Sequence, residues 1–374
     1  MQSKTLQYKI NGEISKVHIC KRIEHKIKND ISSLKSDKKI LFIYDQNINK
    51  EIINNLFKHI KVDGCEVFKI NVKGNKSNKS IFKLLKILDF LIKKNFTKRS
   101  IIISCGGGVV GDMFGLLSSL YLRGMFYFHI PSTMTSIVDS CIGGKTSVNY
   151  KGIINCIGNY YHPKRVYISE EIIKDIPDRE YIAGFAEILK CGLIKKNNIL
   201  KILEKNHLKL KNRNFKLLRN LIYLTLKTKI NYFANDVYEN KGRLNLNFGH
   251  TFAHAIEMAT EKIFKKEILR HGEAVGLGMI CEILLTKINK GKNNSIIKKV
   301  EKVLTLYDLP ILLKTPKLTQ KNKLQNDIYK YIFFDKKKIN KNPRFISLAS
   351  IGNPVIKEIS DYNSLNEVIY KIIE

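Results

Sequence analysis

Four short apolar runs punctuate the first half of the chain: KILFIYD (39–45), EVFKINV (66–72), RSIIIS (99–104) and MFYFHIP (125–131). They are rich in β-branched and aromatic residues, which predicts strands. Between them, around 48–59, 78–94 and 111–122, apolar positions recur every three or four residues, which predicts helices. Strand alternating with helix implies an α/β domain with a doubly wound parallel sheet. Beyond Asp178 the pattern changes. Long helical periods occupy 178–195, 213–235, 247–265, 271–289 and 293–307, and RFISLAS (344–350) predicts one late strand before a terminal helix. A mostly α-helical second domain is expected, with the change of pattern at 165–178 and the domains at 1–170 and 171–374.

Composition narrows the class. A chain of 374 residues that is 44% apolar can fill two cores. Its N-terminus lacks the apolar segment of a secretory signal, and its longest apolar run, IFKLLKILDFLIKK, carries lysines at helical spacing. Seven scattered cysteines without a CxxC pair suit reduced thiols. A cytoplasmic protein with no membrane partner is expected.

The net charge of +33 invites a nucleic-acid partner. The lysines, however, are spread over nearly every surface segment, with no basic–aromatic module and no zinc-finger pattern, so none is expected. In a chain that places lysine almost everywhere, the windows without it carry information. Between Ser100 and Gly144 only Arg123 is a lysine or arginine; between Leu244 and Glu261, and between Gly272 and Thr286, neither occurs. Such windows should be buried or committed to chemistry, because an unpaired buried lysine is costly.

Two loops in the first window carry candidate chemistry. SIIISCGGGVVGDMFG runs from a strand into Gly106, Gly107, Gly108, Gly111 and Asp112 before a helix, where backbone N–H groups can meet a pyrophosphate. The spacing is not GxGxxG, so a plain tight turn is an equal alternative. IPSTMTSIVDSCIGGKTSVN adds Ser132 and Thr133 after a strand, then Asp139 and Gly143-Gly144-Lys145-Thr146. The P-loop spacing is absent, yet Lys145 can offer one cation to an anionic ligand, with Asp139 nearby to fix it.

NFGHTFAHAIE poses a different question. In a helix Asn247, His250, His254 and Glu257 share one face, with Phe248, Phe252, Ile256 and Ala259 opposite. The polar face carries no lysine. His250 and His254 could ligate a metal together, but a catalytic zinc needs a third protein ligand and an open position. Candidates are His271, which opens the next helix in HGE, and Glu187 in the apolar AGFAEILKCG, one turn before Lys190. HExxH is absent.

Together these stretches resemble the 3-dehydroquinate synthase family of the sugar phosphate cyclases. The resemblance rests on GGGVVGD, YLRG, VDSCIGGKT, AGFAEILK, RLNLNFGHTFAHAIE, HGEAV, FFDKK and the Lys229-to-Arg243 spacing, collinear over most of the chain. It implies a Rossmann-like N-terminal domain, a helical C-terminal domain, an active site in the cleft, and a homodimer. The implied metal is Zn2+ (or Co2+), held by Glu187, His250 and His271. NAD is implied on Gly106, Gly107, Gly108, Val109, Val110, Gly111 and Asp112, and on Ser132, Thr133, Asp139 and Lys145. Asp45, Gly74, Lys79, Ile154, Ile172 and Asp175 complete the implied cofactor set. The implied catalytic and substrate-binding residues are Asp139, Lys145, Asn155, Lys190 and Lys229, with Arg243, Asn247, His254 and Lys337. Arg123 matches an arginine that reaches the phosphate site across the dimer.

The implied reaction converts 3-deoxy-D-arabino-heptulosonate 7-phosphate to 3-dehydroquinate and phosphate, a lyase step of the shikimate pathway to chorismate and the aromatic amino acids. Hydride passes from C5 to NAD while the metal polarises the oxygens. The new ketone acidifies C6, phosphate leaves by β-elimination, the hydride returns, and ring opening with an intramolecular aldol closes the carbocycle. A substrate with a carboxylate and a phosphate needs several fixed cations. On this reading His250 is a metal ligand and His254 faces the phosphate end of the substrate. The chain departs from the family pattern at Ile154, where lysine is usual and Lys151 is the nearest replacement. It departs also at Asn75 and Val237, in place of acids, and at Cys191, in place of tyrosine. Weaker NAD binding is expected before loss of catalysis. Rival readings are another sugar phosphate cyclase acting on glucose 6-phosphate or sedoheptulose 7-phosphate, a glycerol dehydrogenase-like oxidoreductase, and a basic nucleic-acid binder without activity.

Overall fold

A computed structural model describes residues 3–62, 64–285, 290–315, 318–334, 343–358 and 362–374. The chain forms two compact units, Met1–Pro177 with Phe233–Tyr238, and Asp178–Tyr232 with Glu239–Glu374.

The first unit runs β1 (Ser3–Ile10), β2 (Glu13–Cys20), α1 (Glu24–Ser33), β3 (Lys39–Asp45), α2 (Lys50–Ile60), β4 (Glu66–Val72) and α3 (Ile81–Lys93). It continues with β5 (Ile101–Gly106), α4 (Gly108–Leu120), β6 (Phe126–Pro131), β7 (Lys145–Tyr150), β8 (Ile153–Tyr160), β9 (Arg165–Ser169) and α5 (Glu170–Asp175). Seven strands form one sheet in the order β1-β2-β9-β6-β5-β3-β4, with β1 antiparallel to β2 and the remaining pairs parallel. Side chains alternate across it. Ile40, Phe42, Ile101 and Ile103 pack beneath α1 and α2, while Leu41, Ile43 and Ile102 pack beneath α3 and α4. A sheet covered on both faces explains why these strands read as unbroken apolar runs.

The apolar-run pattern predicts neither antiparallel hairpin. β1 and β2 turn at Asn11 and Gly12, both with positive φ (47 and 85°), as the Asn-Gly pair of KINGE favours. β7 and β8 turn at Lys151 and Gly152, again both positive. The predicted helix at 111–122 begins at Gly108 and ends at Leu120, because Gly107 serves as its N-cap.

One partly buried ionic cluster pins α1 to the sheet. Asp30 lies 3.0 Å from Arg165 Nε and 3.4 Å from His18 Nε2, and it accepts the Tyr167 hydroxyl at 2.9 Å. Burial alone would raise the Asp30 carboxyl, but His18, Arg165 and Tyr167 outweigh it and hold the pKa at about 2. A depressed carboxyl stabilises the fold above its ordinary pKa of 3.8, and that stability drains away as pH falls toward about 2. We expect Asp30→Asn to cost about 1–2 kcal/mol at neutral pH after solvent screening, and little at pH 2. Urea unfolding of both proteins at the two pH values checks this; equal loss at both contradicts it.

The second unit comprises α6 (Asp178–Ile194), α7 (Ile199–Lys211), α8 (Phe215–Phe233, its last residue in the first unit), α9 (His250–Phe264), α10 (His271–Leu285), α11 (Lys290–Leu306) and α12 (Leu318–Phe334). A hairpin of β10 (Arg344–Ser350) and β11 (Asn353–Glu358) and a terminal α13 (Tyr362–Ile372) complete it. At its centre lies α10, buried at every position from Gly272 to Ile283 and packed by α6, α9, α11, α13 and β10. Its lack of lysine follows from that position. Residues 286–289 of the predicted helix lie outside the described residues. None of the described helices is long and apolar enough to cross a membrane.

Candidate active site

In the first unit the strand order reverses between β3 and β5, since the chain adds β4 on one side and β6 and β9 on the other. Ligands of doubly wound sheets bind at the carboxyl ends of strands beside such a reversal. Most of the expected cofactor residues lie at that edge. Asp45 ends β3, Gly74 follows β4, Gly106 ends β5, and Ser132 and Thr133 follow β6. The Ser132 N–H donates to the Gly106 carbonyl at 3.0 Å, and α4 opens immediately beyond Gly107. Asp175 follows β9 and accepts the Asn49 N–H, whereas Ile172 is buried in the sheet's core.

Lys79 is buried, with its Nζ 2.5 Å from both Asp112 Oδ2 and Asn155 Oδ1; the Ser147 hydroxyl also donates to Asn155. Asn155, expected at the substrate, thus sits in the network of Lys79. Burial pushes the Asp112 carboxyl up; Lys79 and Lys145 oppose this and Asp139 adds to it, leaving it above the usual range. Lys145 and Asp139 are therefore electrostatic neighbours of Asp112. Ile154 is 57% exposed on β8, and Lys151 places its ammonium over the Tyr150 ring. Arg123 is exposed, in a left-handed conformation (φ 62°) just after α4.

The second unit gathers three side chains from three helices. Glu187 of α6 is fully buried, and its Oε1 lies 3.5 Å from Nε2 of His250 and 3.5 Å from Nε2 of His271. A tetrahedral metal with bonds of about 2.0–2.1 Å has ligand atoms about 3.4 Å apart. Oε1 has no hydrogen-bond partner, and the three ligand atoms lie within 4.8 Å of one another. A buried carboxylate oxygen without a donor suits a cation.

Local sequence explains why the helices meet here. Both histidines are the first residue of their helix. His271 follows Arg270, whose N–H is accepted by Glu273 at 2.8 Å, one arm of a capping box. Arg179 of α6 grips the same carboxylate through Nε and Nη2 at 2.8 and 2.7 Å. His250 follows Gly249, whose φ of 83° ends the preceding turn. Glycine also permits the close contacts. A Cβ at Gly272 would lie 1.8 Å from the Ala183 carbonyl oxygen of α6, and one at Gly278 would lie 1.9 Å from that of Gly249.

The predicted helix from 247 is shorter than expected. Arg243 and Asn247 belong to a 3-10 stretch, Gly242–Asn247, so Asn247 does not share a helix with His250 and His254. The Asn247 amide donates instead to Glu239 at 2.7 Å. His254 is exposed and stays outside the Glu187 triangle, with its ring 5.6 Å from that of His250. Glu257 has a part that sequence reading missed. Its Oε2 lies 3.3 Å from His271 Nδ1, which leaves Nε2 turned to Glu187. His254, Glu257 and His271 form a second, more exposed set of donor atoms.

Charge is balanced tightly in this cluster. Burial raises the Glu187 carboxyl, but Lys190 at 2.5 Å and the two histidines hold it well below the usual range. Burial, reinforced by Lys190, drives His250 well below an ordinary histidine. Burial acts likewise on His271, but Glu257 and Glu187 prevail and raise it to about 10. A cation entering this site must displace that proton. Lys190, Lys229 and Arg243 are all buried in this unit. Lys337 lies outside the described residues.

Comparison with known proteins identifies the family. Residues 69–183 match the family described as 3-dehydroquinate synthase N-terminal, and residues 184–338 match 3-dehydroquinate synthase C-terminal. The 3-dehydroquinate synthase of Clostridium tetani is 35% identical over 358 residues, covering 94% of this chain and 88% of that protein. A crystal structure of 2-deoxy-scyllo-inosose synthase complexed with carbaglucose-6-phosphate, NAD+ and Co2+ shares the fold, with a TM-score of 0.83, 22% identity, and coverage of 98 and 99% of the two chains. The 2-epi-5-epi-valiolone synthase of Streptomyces hygroscopicus, with NAD+ and Zn2+ bound, does so at a TM-score of 0.80 and 21% identity, covering 99 and 97%. With both halves matched and a relative one-third identical along nearly its whole length, the chain belongs to the 3-dehydroquinate synthase family.

Proposed function

We propose that the chain catalyses the reaction of its family, conversion of 3-deoxy-D-arabino-heptulosonate 7-phosphate to 3-dehydroquinate and phosphate. The observation that carries the reading is the Glu187–His250–His271 triangle, whose two 3.5 Å edges match a tetrahedral site. Glu187, His250 and His271 hold the divalent metal, zinc or cobalt. The carboxyl edge of the sheet, with the loop from Gly106 to Asp112 and the buried Asp45 at the end of β3, would hold NAD+. When bound, these groups supply a hydride acceptor restored in each cycle and a Lewis acid for the substrate's oxygens.

The chain's own residues do the rest. Lys190, Lys229 and Arg243, held in place by burial, bind and orient the substrate's two anionic groups. Glu257 holds the proton at His271 Nδ1 and so fixes which nitrogen faces the metal. His254, exposed beside the triangle, exchanges a proton at the phosphate end of the substrate. With the usual lysine absent at Ile154 and Lys151 engaged by Tyr150, Lys79 anchors the cofactor loop through Asp112, and NAD+ binds more weakly. The seven cysteines, none in a disulfide, suit the cytoplasm. A homodimer suits Leu120 and Leu122, 46 and 55% exposed beside Arg123, which reaches the partner's phosphate site.

The test supplies the heptulosonate phosphate with catalytic NAD+ and zinc and follows phosphate and carbocycle together. The expected result is equal release of both with no lasting NADH. Absence of turnover, or NADH formed in step with product, overturns the reading. Because the solved neighbours include a 2-deoxy-scyllo-inosose synthase and a 2-epi-5-epi-valiolone synthase, glucose 6-phosphate and sedoheptulose 7-phosphate serve as parallel substrates; preference for either supports a different cyclase.

A further inference from the structure

In front of each ligand histidine, the peptide N–H ends on a glutamate of α10. Ahead of His271, the Arg270 N–H is taken by Glu273 within the same helix turn. Ahead of His250, the Gly249 N–H is taken across helices by Oε2 of Glu282 at 2.8 Å. Glu282 is completely buried, 11 residues along α10 from His271, in the apolar stretch GMICEILL. No side-chain cap closes the start of α9, and Gly249 has no side chain with which to make one. Four residues before Glu282, on the same face of α10, Gly278 abuts the Gly249 carbonyl. Helix α10 thus meets Gly249 at both its N–H and its C=O.

We propose that Glu282 is a positioning residue for the metal centre. By accepting the Gly249 N–H it fixes the left-handed turn that aims His250 at Glu187. The proposal rests on the assignment of Glu187, His250 and His271 as metal ligands. A buried carboxylate with only a packing role would not control metal affinity. One that sets the direction of a ligand would, as supporting groups around metal sites do.

Cobalt(II) binding to the full-length protein tests this, with chelator competition for affinity and visible absorption for ligand geometry. Glu282→Met keeps the volume but removes the acceptor, and should weaken Co2+ about 10- to 100-fold and alter the absorption. Glu282→Gln keeps an acceptor oxygen and should stay within about threefold of wild type. Glu282→Asp keeps the charge but withdraws the acceptor by one methylene, so it too should weaken Co2+, which retains a test if the Met variant does not fold. Wild-type affinity and spectrum in the Met or Asp variant overturn the proposal, as does a loss in Gln equal to that in Met. The parent reading fails separately: wild-type protein that does not bind Co2+, or Glu187→Ala that binds it unchanged, removes the metal site itself.

Discussion

His250→Ala is expected to lose more than about 100-fold in metal affinity, whereas His254→Ala keeps its metal and loses about 10²–10⁴-fold in turnover. The two histidines stand one turn apart on α9, yet only His250 lies 3.5 Å from Glu187 Oε1. His254 is exposed, with its ring stacked 6.0 Å from His271. Losing a ligand deprives Glu187 of a partner in a fully buried site, and its charge is then left to His271 and Lys190. Losing His254 removes a proton-transfer group and leaves the triangle intact. Metal content after dialysis, measured beside kcat, separates the roles. If both variants lose metal equally, the division of roles is wrong; loss in His254→Ala alone makes the outer set of His254, Glu257 and His271 the better metal site.

Gly278→Ala is expected to be, with Gly272→Ala, the most damaging added methyl group in the second unit. Its Cβ would lie 1.9 Å from the Gly249 carbonyl oxygen and 3.1 Å from the Ala253 nitrogen, both backbone atoms. Restoring a normal carbon–oxygen contact of about 3.3 Å means moving α9 against α10 by more than about 1 Å. Metal sites tolerate about 0.2 Å, so His250 would leave its position. We expect about 2–4 kcal/mol of destabilisation and a loss of metal affinity larger than that of Glu282→Met. Gly276→Ala is the control. Two residues away on the same helix, its methyl would meet only the end of the Leu304 side chain, at 3.1 Å, which can rotate aside. Thermal unfolding with and without Co2+ compares them, and equal behaviour of the two variants refutes the argument.

The parts of this protein that were legible in its sequence are those set by local periodicity. β3 and β4 coincide residue for residue with KILFIYD and EVFKINV: β3 is buried on both faces, so no polar alternation obscures its ends, and β4, the half-buried edge strand, is bounded by Gly64 and Gly74. The lysine-free window from Gly272 to Thr286 marked α10, the buried centre of the second unit. The β1–β2 hairpin escaped because lysines interrupt its exposed face, although Asn11-Gly12 carried a turn signal, and β7–β8 because β8 is largely exposed and broken by polar residues. At the site, Glu187, His250 and His271 stood out through motif and context. Their supports did not, since Glu257 and Glu282 act on groups brought near by tertiary packing. A signal was present nonetheless: an acid inside GMICEILL needs a donor, and only the fold could say which. The start of α9 was misplaced for a related reason, because helical periodicity runs smoothly through Asn247 while the backbone turns over at Gly249.

Placing both ligand histidines at the first position of a helix has a consequence for how the protein breathes. First turns are where helices fray, since their N–H groups lack partners within the helix. Here the fraying ends are secured by two glutamates of a helix that is itself buried over most of its length. Removing the metal should therefore loosen the two opening turns while the body of the bundle stays closed. In amide exchange the difference between loaded and empty protein would be concentrated at residues 250–253 and 271–274, leaving the centre of α10 silent.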